Sequence, residues 1–376
     1  MKKITEFFLC LLVIVISAVS IYYGNIYLNS KTNSGTIYDK ETELDEMVFA
    51  TILSINEDIA TDKIESSGQE IMFTAKTFGS TKSEIVRGIQ ILDESAENTI
   101  AVSVGDKVVL MTYGDDDLLF QYYFRFDKVV ILALVFIVLI LIMGRIKGFK
   151  TIISLALTCL SIFFIFIPSI GVGINIYFST TIISFYIILM TLVIVYGLNK
   201  KSLIAALSCI LGVLFAGILT NIMDYWMKLT GYINDDMYLL SSLFGIEIDV
   251  KAILYSMIII GALGAIMDVS ISIASSLNEL QENNKRISTR DLLKSGFSIG
   301  RDIMGTMANT LLMAYIGSSL VVVLIYAASN YTLLSLLNKE EIIFEFLQSL
   351  VGSLSLLLTI PLTTVIASTI LTKREH

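Results

Sequence analysis

Residues 250–277 read VKAILYSMIIIGALGAIMDVSISIASSL, and this stretch decides the class of fold. It is apolar over the length a helix needs to cross roughly 30 Å of hydrocarbon. It nevertheless carries one carboxylate, Asp268, a turn past its midpoint. Gly261, Gly264, Asp268, Ser272 and Ser275 follow one another at steps of three and four, which places them on one face of a helix. A charge in mid-bilayer is costly, and a face of glycine, serine and a carboxyl does not suit lipid. That face is expected to meet another helix or water.

The rest of the chain fits a membrane setting. Of 376 residues, 55% are hydrophobic and only 16% charged, and mean hydropathy is +0.79. A soluble domain runs nearer a quarter charged, so this chain lacks the polar residues to cover a water-facing globule of its size. The net charge of −8 is dispersed, with no block of like charges to form a nucleic-acid arm or an acidic tail. Cys10, Cys159 and Cys209 all lie in apolar segments without CxxC spacing, which argues against a disulfide framework or a cysteine metal site. The only histidine is His376. Ser-His and Cys-His nucleophiles, histidine-bound zinc and HExxH hydrolysis are thereby removed, and no P-loop pattern is present. No catalytic residue, metal or cofactor is expected, and the chain is read as a non-enzyme.

Three parts follow. Residues 1–28 read as a transmembrane anchor; a signal peptide is the rival reading, but the run is long and carries Tyr22, Tyr23 and Tyr27 at an interfacial position. Residues 29–127 form the one stretch of soluble character, an extracytoplasmic β-rich domain of barrel or sandwich type. Strands are expected at MVFATILSI (47–55), EIMFTA (70–75), EIVRGIQIL (84–92) and NTIAVSVGDKVVLMTY (98–113), with a tight turn at Gly105-Asp106. Asp115, Asp116 and Asp117 then lead into QYYFRFDK, expected at a membrane surface. Residues 128–376 read as a seven-helix domain with helices at 128–144, 151–168, 176–197, 202–223, 250–277, 302–327 and 346–371. Pro168 is expected to end a helix before a turn at Gly171 and Gly173, and Pro361 to kink the last one.

Lysine and arginine set the orientation. With both termini cytoplasmic, the inner loops hold Arg145, Lys147, Lys150, Lys200, Lys201, the basic stretch within 278–301, Lys373 and Arg374. The outer loops are mostly acidic, with Asp235, Asp236, Glu247, Asp249, Glu340, Glu341 and Glu345. Asn221 and Asp224, near an outer helix end, read as interfacial.

The helix after the basic stretch carries Asp302, Thr306, Asn309 and Met313 at steps of four, three and four, with Gly305 beside them. Arg301 and Asp302 are expected at the cytoplasmic rim. Two aspartates on successive helices raise an intramembrane aspartic protease, whose carboxyls must lie within a few ångströms. By these boundaries the depths of Asp268 and Asp302 disagree, and the flank is IGRD rather than Gly-x-Gly-Asp.

The blocks GALGAIMDVSISIASSLNEL (261–280) and SGFSIGRDIMGTMANTLLMAYIG (295–317) resemble the YibE/F-like family of bacterial multi-pass membrane proteins. So does the order of parts: anchor, β-domain with a GDKV turn, Arg125 before the second helix, then the helical block. The resemblance implies a bacterial plasma membrane and brings no established substrate. The leading expectation is a transporter of an ion or small solute, with Asp268 as its ion- or proton-responsive group. Ser272, Ser275, Thr306 and Asn309 would line the pathway, and Gly261, Gly264 and Gly305 would pack helices. The alternative is a scaffold, sensor or assembly factor whose β-domain binds a protein partner or ligand. Expected partners are the bilayer, the solute and that protein, with no nucleic acid; a homo-oligomer stays open.

Overall fold

The computed structural model describes residues 2–31, 47–56, 68–79, 84–93, 100–113, 117–243, 248–329 and 331–372. The sequence breaks at 57–67 and 80–83, with Asp115, Asp116, Glu247, Lys373 and Arg374, lie outside these. Two compact units emerge: Ser34–Arg145, and Met1–Asn33 together with Ile146–His376.

The first unit holds a closed five-stranded barrel. Its strands are β1 (Met47–Asn56), β2 (Gly68–Thr77), β3 (Ile85–Asp93), β4 (Lys107–Tyr113) and β5 (Asp117–Tyr123). The order around the barrel is β1-β2-β3-β5-β4, antiparallel except where β3 meets β5. This Greek-key closure leaves no free edge. Alternation sends Ala50, Ile52, Phe73, Ala75, Val108 and Leu110 inward to a buried core. Gly88 of β3 faces the Phe73 ring, whose atoms occupy the space a Cβ would need.

Two expectations change here. The segment 117–123, expected as part of a surface lead-in, is the strand that closes the barrel between β3 and β4. The strand expected at 98–113 begins only at Lys107. Residues 100–102 are held instead by a buried side chain: Gln90 Nε2 donates to Ile100 O, and Val102 N donates to Gln90 Oε1, both at 2.9 Å. The turn at Gly105 is as expected, with φ +94° and Ser103 N donating to Asp106 Oδ2 at 2.8 Å. Gln90→Leu strands the Val102 amide and removes one of two donors to Ile100 O, and should cost about 1–3 kcal/mol. Hydrogen exchange on the full chain should show residues 100–106 losing protection first.

Outside the barrel the chain is helical. The elements are α1 (Lys2–Lys31), α2 (Phe126–Ser161), a π-helical turn (Ile162–Phe166), α3 (Ile167–Gly171), α4 (Ile176–Tyr196) and α5 (Lys200–Met227). After them come α6 (Asp235–Leu243), α7 (Val250–Asn283), α8 (Thr289–Ser318), α9 (Leu320–Ala328), α10 (Leu333–Leu336) and α11 (Glu340–Thr372). Among the described residues, by length and composition, six helical stretches can cross a membrane, or seven if the bent pair α8–α9 is one span.

Several boundaries differ from those expected. Phe126–Gly171 is one apolar stretch of 46 residues, broken where Arg145 leaves helical geometry at φ 47°, ψ −124°. Pro168 does not stop a helix but sits in the first turn of α3 after the π-helical turn, and the chain reverses at Gly173 (φ +78°). α11 runs through Pro361 as one helix. α7 and α8 extend into the basic stretch expected as a loop, leaving only 284–288 between them.

The bundle core is built on α5, α7, α8 and α11. Glycines allow these helices to approach closely. A Cβ on Gly212 (α5) would lie 2.5 Å from Thr359 Oγ1 of α11, and one on Gly296 (α8) 2.5 Å from Thr364 Cγ2. Gly300 faces Ile360 with still less room, and Gly217 meets the Tyr255 hydroxyl. Three buried hydroxyls of α11, Ser355, Thr359 and Thr363, are satisfied within their own helix, each donating to the carbonyl four residues earlier. At the end of the bundle near residue 230, Glu340 accepts from Thr230 N, Gly231 N and Thr230 Oγ1, tying the α5–α6 turn to α11.

Candidate functional site

α7 starts cleanly because Asp249 caps it, accepting from Ala252 N at 3.2 Å. Its broad apolar face, including Tyr255, Ile259, Ile266 and Ile273, is buried against α5 and α11. Thr180 of α4 and Ser256 of α7 hydrogen-bond at 2.6 Å, adding a third neighbour. The opposite face is the one whose spacing singled it out: Gly261, Gly264, Asp268 and Ser272 are exposed and Ser275 is half-buried.

Along this face the surroundings change. At Gly261 two helices converge: Tyr315 of α8 brings its hydroxyl into the space a Cβ would fill, and Gln348 Nε2 of α11 lies 3.3 Å from the same point. Gly264 has open space above it. Asp268 follows, one turn along, with no hydrogen bond or ion pair among the described residues. Tyr196 of α4 and Cys209 of α5 lie within reach of its charge. The arrangement is a carboxylate on an open face, beside Ser272 and Tyr196 and in no ion pair among the described residues. Such a group can bind a cation or exchange a proton.

α8 supplies the other expected residues in a different relation. Ser288 caps it, accepting from Asp291 N and donating to Asp291 Oδ2 at 2.7 Å. Leu292, Gly296 and Gly300 are buried and turn the helix's small-residue edge to α11 and Leu277. Arg301 and Asp302 therefore lie well inside the helix, about 20 Å from its first residue at 1.5 Å per step. The contacts Tyr315–Gly261 and Gly296–Leu277 bracket α8 against α7 and bring Thr306 to the level of Asp268. Yet Asp302, Gly305, Thr306 and Asn309 are all exposed, and the stripe lies on the opposite side of α8 from the buried glycines. A Cβ on Gly305 would meet nothing within 4 Å. Among the described residues no ion pair joins Asp268 to Arg301, and no group of His, Cys, Asp and Glu is suited to a metal.

Sequence reasoning missed Tyr315 and Gln348, which meet the α7 face at Gly261, and Tyr196 and Cys209, which lie within reach of the Asp268 charge. It also missed Gly296 and Gly300, whose Gly-x-x-x-Gly spacing was the available signal. Asp224, near the C-terminal end of α5, is paired with Lys251 at 3.5 Å, a structural contact.

In the first unit a second, shallower site lies beside β5. A cavity of about 570 Å³ is lined by Ser103, Asp106, Tyr123, Arg125 and Lys128 among others. Tyr123 donates to Ile100 O at 2.9 Å, and burial, with the Asp106 charge adding, pushes its hydroxyl above the ordinary range. It stays a neutral donor.

The family model described as YibE/F-like protein matches residues 132–373. The chain belongs to the YibE/F-like family. The match covers the helices that carry Asp268 and Asn309 and leaves the barrel outside it. No curated protein and no solved structure matches the chain. With its long apolar helices, this YibE/F-like chain is a multi-pass membrane protein with a small barrel N-terminal to most of its helices.

Proposed function

We propose that this protein moves an ion or small solute across the membrane, with Asp268 as the group that takes up and releases a cation or proton. The observation that carries the reading is the unpaired Asp268 on the open Gly261–Gly264–Ser272 face of α7. Ser272 and Ser275 continue that face toward the end of the helix and offer hydroxyls to a passing solute. Thr306 and Asn309 lie near the same depth on α8 but on its exposed side, and the proposed pathway rests on the α7 face alone. The polypeptide is read as a carrier rather than an enzyme.

Eight crossings with both termini cytoplasmic fit the charge pattern. The break at Arg145 divides Phe126–Gly171 into two segments, and the first, 126–144, is about 28 Å long. Arg290 and Lys294 in the first turns of α8 then lie on the cytoplasmic side, as positive-inside placement asks. A plasma membrane with the barrel outside is the corresponding location.

One observation favours a different reading. Ile85 and Ile91 point outward from β3 at 72% and 50% exposure, apolar side chains that a protein partner docking on the barrel would cover. The protein would then be a scaffold or sensor whose bundle anchors the barrel. Gradient-driven flux in proteoliposomes separates the two. Uptake of a cation or of protons supports transport. Absence of flux for all common ions, from protein that complements a deletion strain, supports the scaffold.

A further inference from the structure

The stripe Asp302, Thr306, Asn309 and Met313 is exposed, uncovered by any other helix among the described residues. α8 turns Leu292, Gly296 and Gly300 inward, and the stripe lies on the opposite side. Its depth is set by contacts on two helices. Gly300 meets Ile360 and Leu311 meets Gly352, so residues near 306 sit opposite the middle of α11 as well as of α7. A carboxylate and an amide at that depth are costly against hydrocarbon.

We infer that a second copy of this chain covers the stripe, α8 packing against α8 about a two-fold axis along the membrane normal. The chemistry is self-complementary, as a two-fold interface requires. The Asn309 amide carries both donors and an acceptor and can pair with its own counterpart. The Thr306 hydroxyl can do the same, and Arg301 beside Asp302 gives each copy both signs of charge. Gly305, with open space above it, lets the two helices approach closely. A polar residue at such a position fixes register and pairing rather than adding bulk stability. The inference does not depend on the transport reading and can fail separately from it.

The test uses the full chain in membranes. Cys159 is the exposed native thiol, so Cys159→Ser is the background; Cys10 and Cys209 are buried. Single cysteines at Thr306, Asn309 and Met313 are oxidised and compared with cysteines at Ala308 and Leu311, which flank the inward side. Covalent dimers at the three stripe positions, with at least fivefold less at 308 and 311, are expected. Asn309→Leu should lower cross-linking of Thr306→Cys several-fold while leaving the protein folded. Mass measurement in nanodiscs should give two chains per particle. Equal cross-linking at all positions, or none on the stripe with one chain per particle, would overturn the inference. So would free labelling of the stripe cysteines by a water-soluble maleimide in the wild-type assembly.

Discussion

Gly300→Val should leave little folded protein. Gly300 is buried, and the position of an added Cβ is already occupied by Cγ2 of Ile360 on α11. Ile360 is itself 5% exposed and cannot swing aside into solvent. Overpacking a close helix contact costs about 1–3 kcal/mol, and here the same edge is crowded again one turn earlier at Gly296. The readout is the thermal midpoint in detergent and the yield of monodisperse protein. Gly317→Ala, where a Cβ meets nothing within 4 Å, serves as the control and should sit within about 0.5 kcal/mol of wild type. Adding Ile360→Ala to Gly300→Ala should recover part of the loss, because the two substitutions act on one contact. A Gly300→Val protein as stable as wild type would mean that α8 does not pack on α11 by this edge.

The second large effect is functional. Asp268→Asn should fold with wild-type yield and carry no gradient-driven flux. The substitution keeps the shape of the side chain, and Asp268 gives up no hydrogen bond or ion pair among the described residues. What it loses is the charge and the titrating proton. Asp268→Glu, which restores both on a longer arm, should retain a fraction of the flux. Undiminished flux in Asp268→Asn would remove this residue from the mechanism while leaving the fold untouched.

The parts of this molecule differ in how far they could be read from sequence. The open face of α7 was legible because helical periodicity survives in any environment, and Gly261, Gly264, Asp268 and Ser272 obey it. The start of α8 was not. Its first turns carry Arg290, Asp291 and Lys294, which hydropathy scores as loop, and what holds them in a helix is the Ser288 cap and the burial of Leu292, Gly296 and Gly300. β5 was hidden because DLLFQYY follows a run of acidic residues and lacks clear alternation. Only the need to close the barrel between β3 and β4 identifies it. Hydropathy also says nothing about which side of a helix its neighbours occupy. The stripe of α8 was legible from its spacing, but only the structure places it on the exposed side of that helix. The hydroxyls of α11 illustrate the converse: Thr359 and Thr363 are polar groups in an apolar run, yet each bonds its own backbone and is buried.

The central claim is that water reaches the Asp268 face of α7 within the membrane. Single cysteines at Gly264, Ser272 and Ser275 on the Cys159→Ser background, with Ile266 and Ile273 as buried controls, test it directly in intact vesicles. A small water-soluble thiol reagent should modify 264, 272 and 275 and spare 266 and 273, and the cation that drives flux should slow labelling at 272. If all five positions are inert, no aqueous path passes Asp268, and the transport account is contradicted.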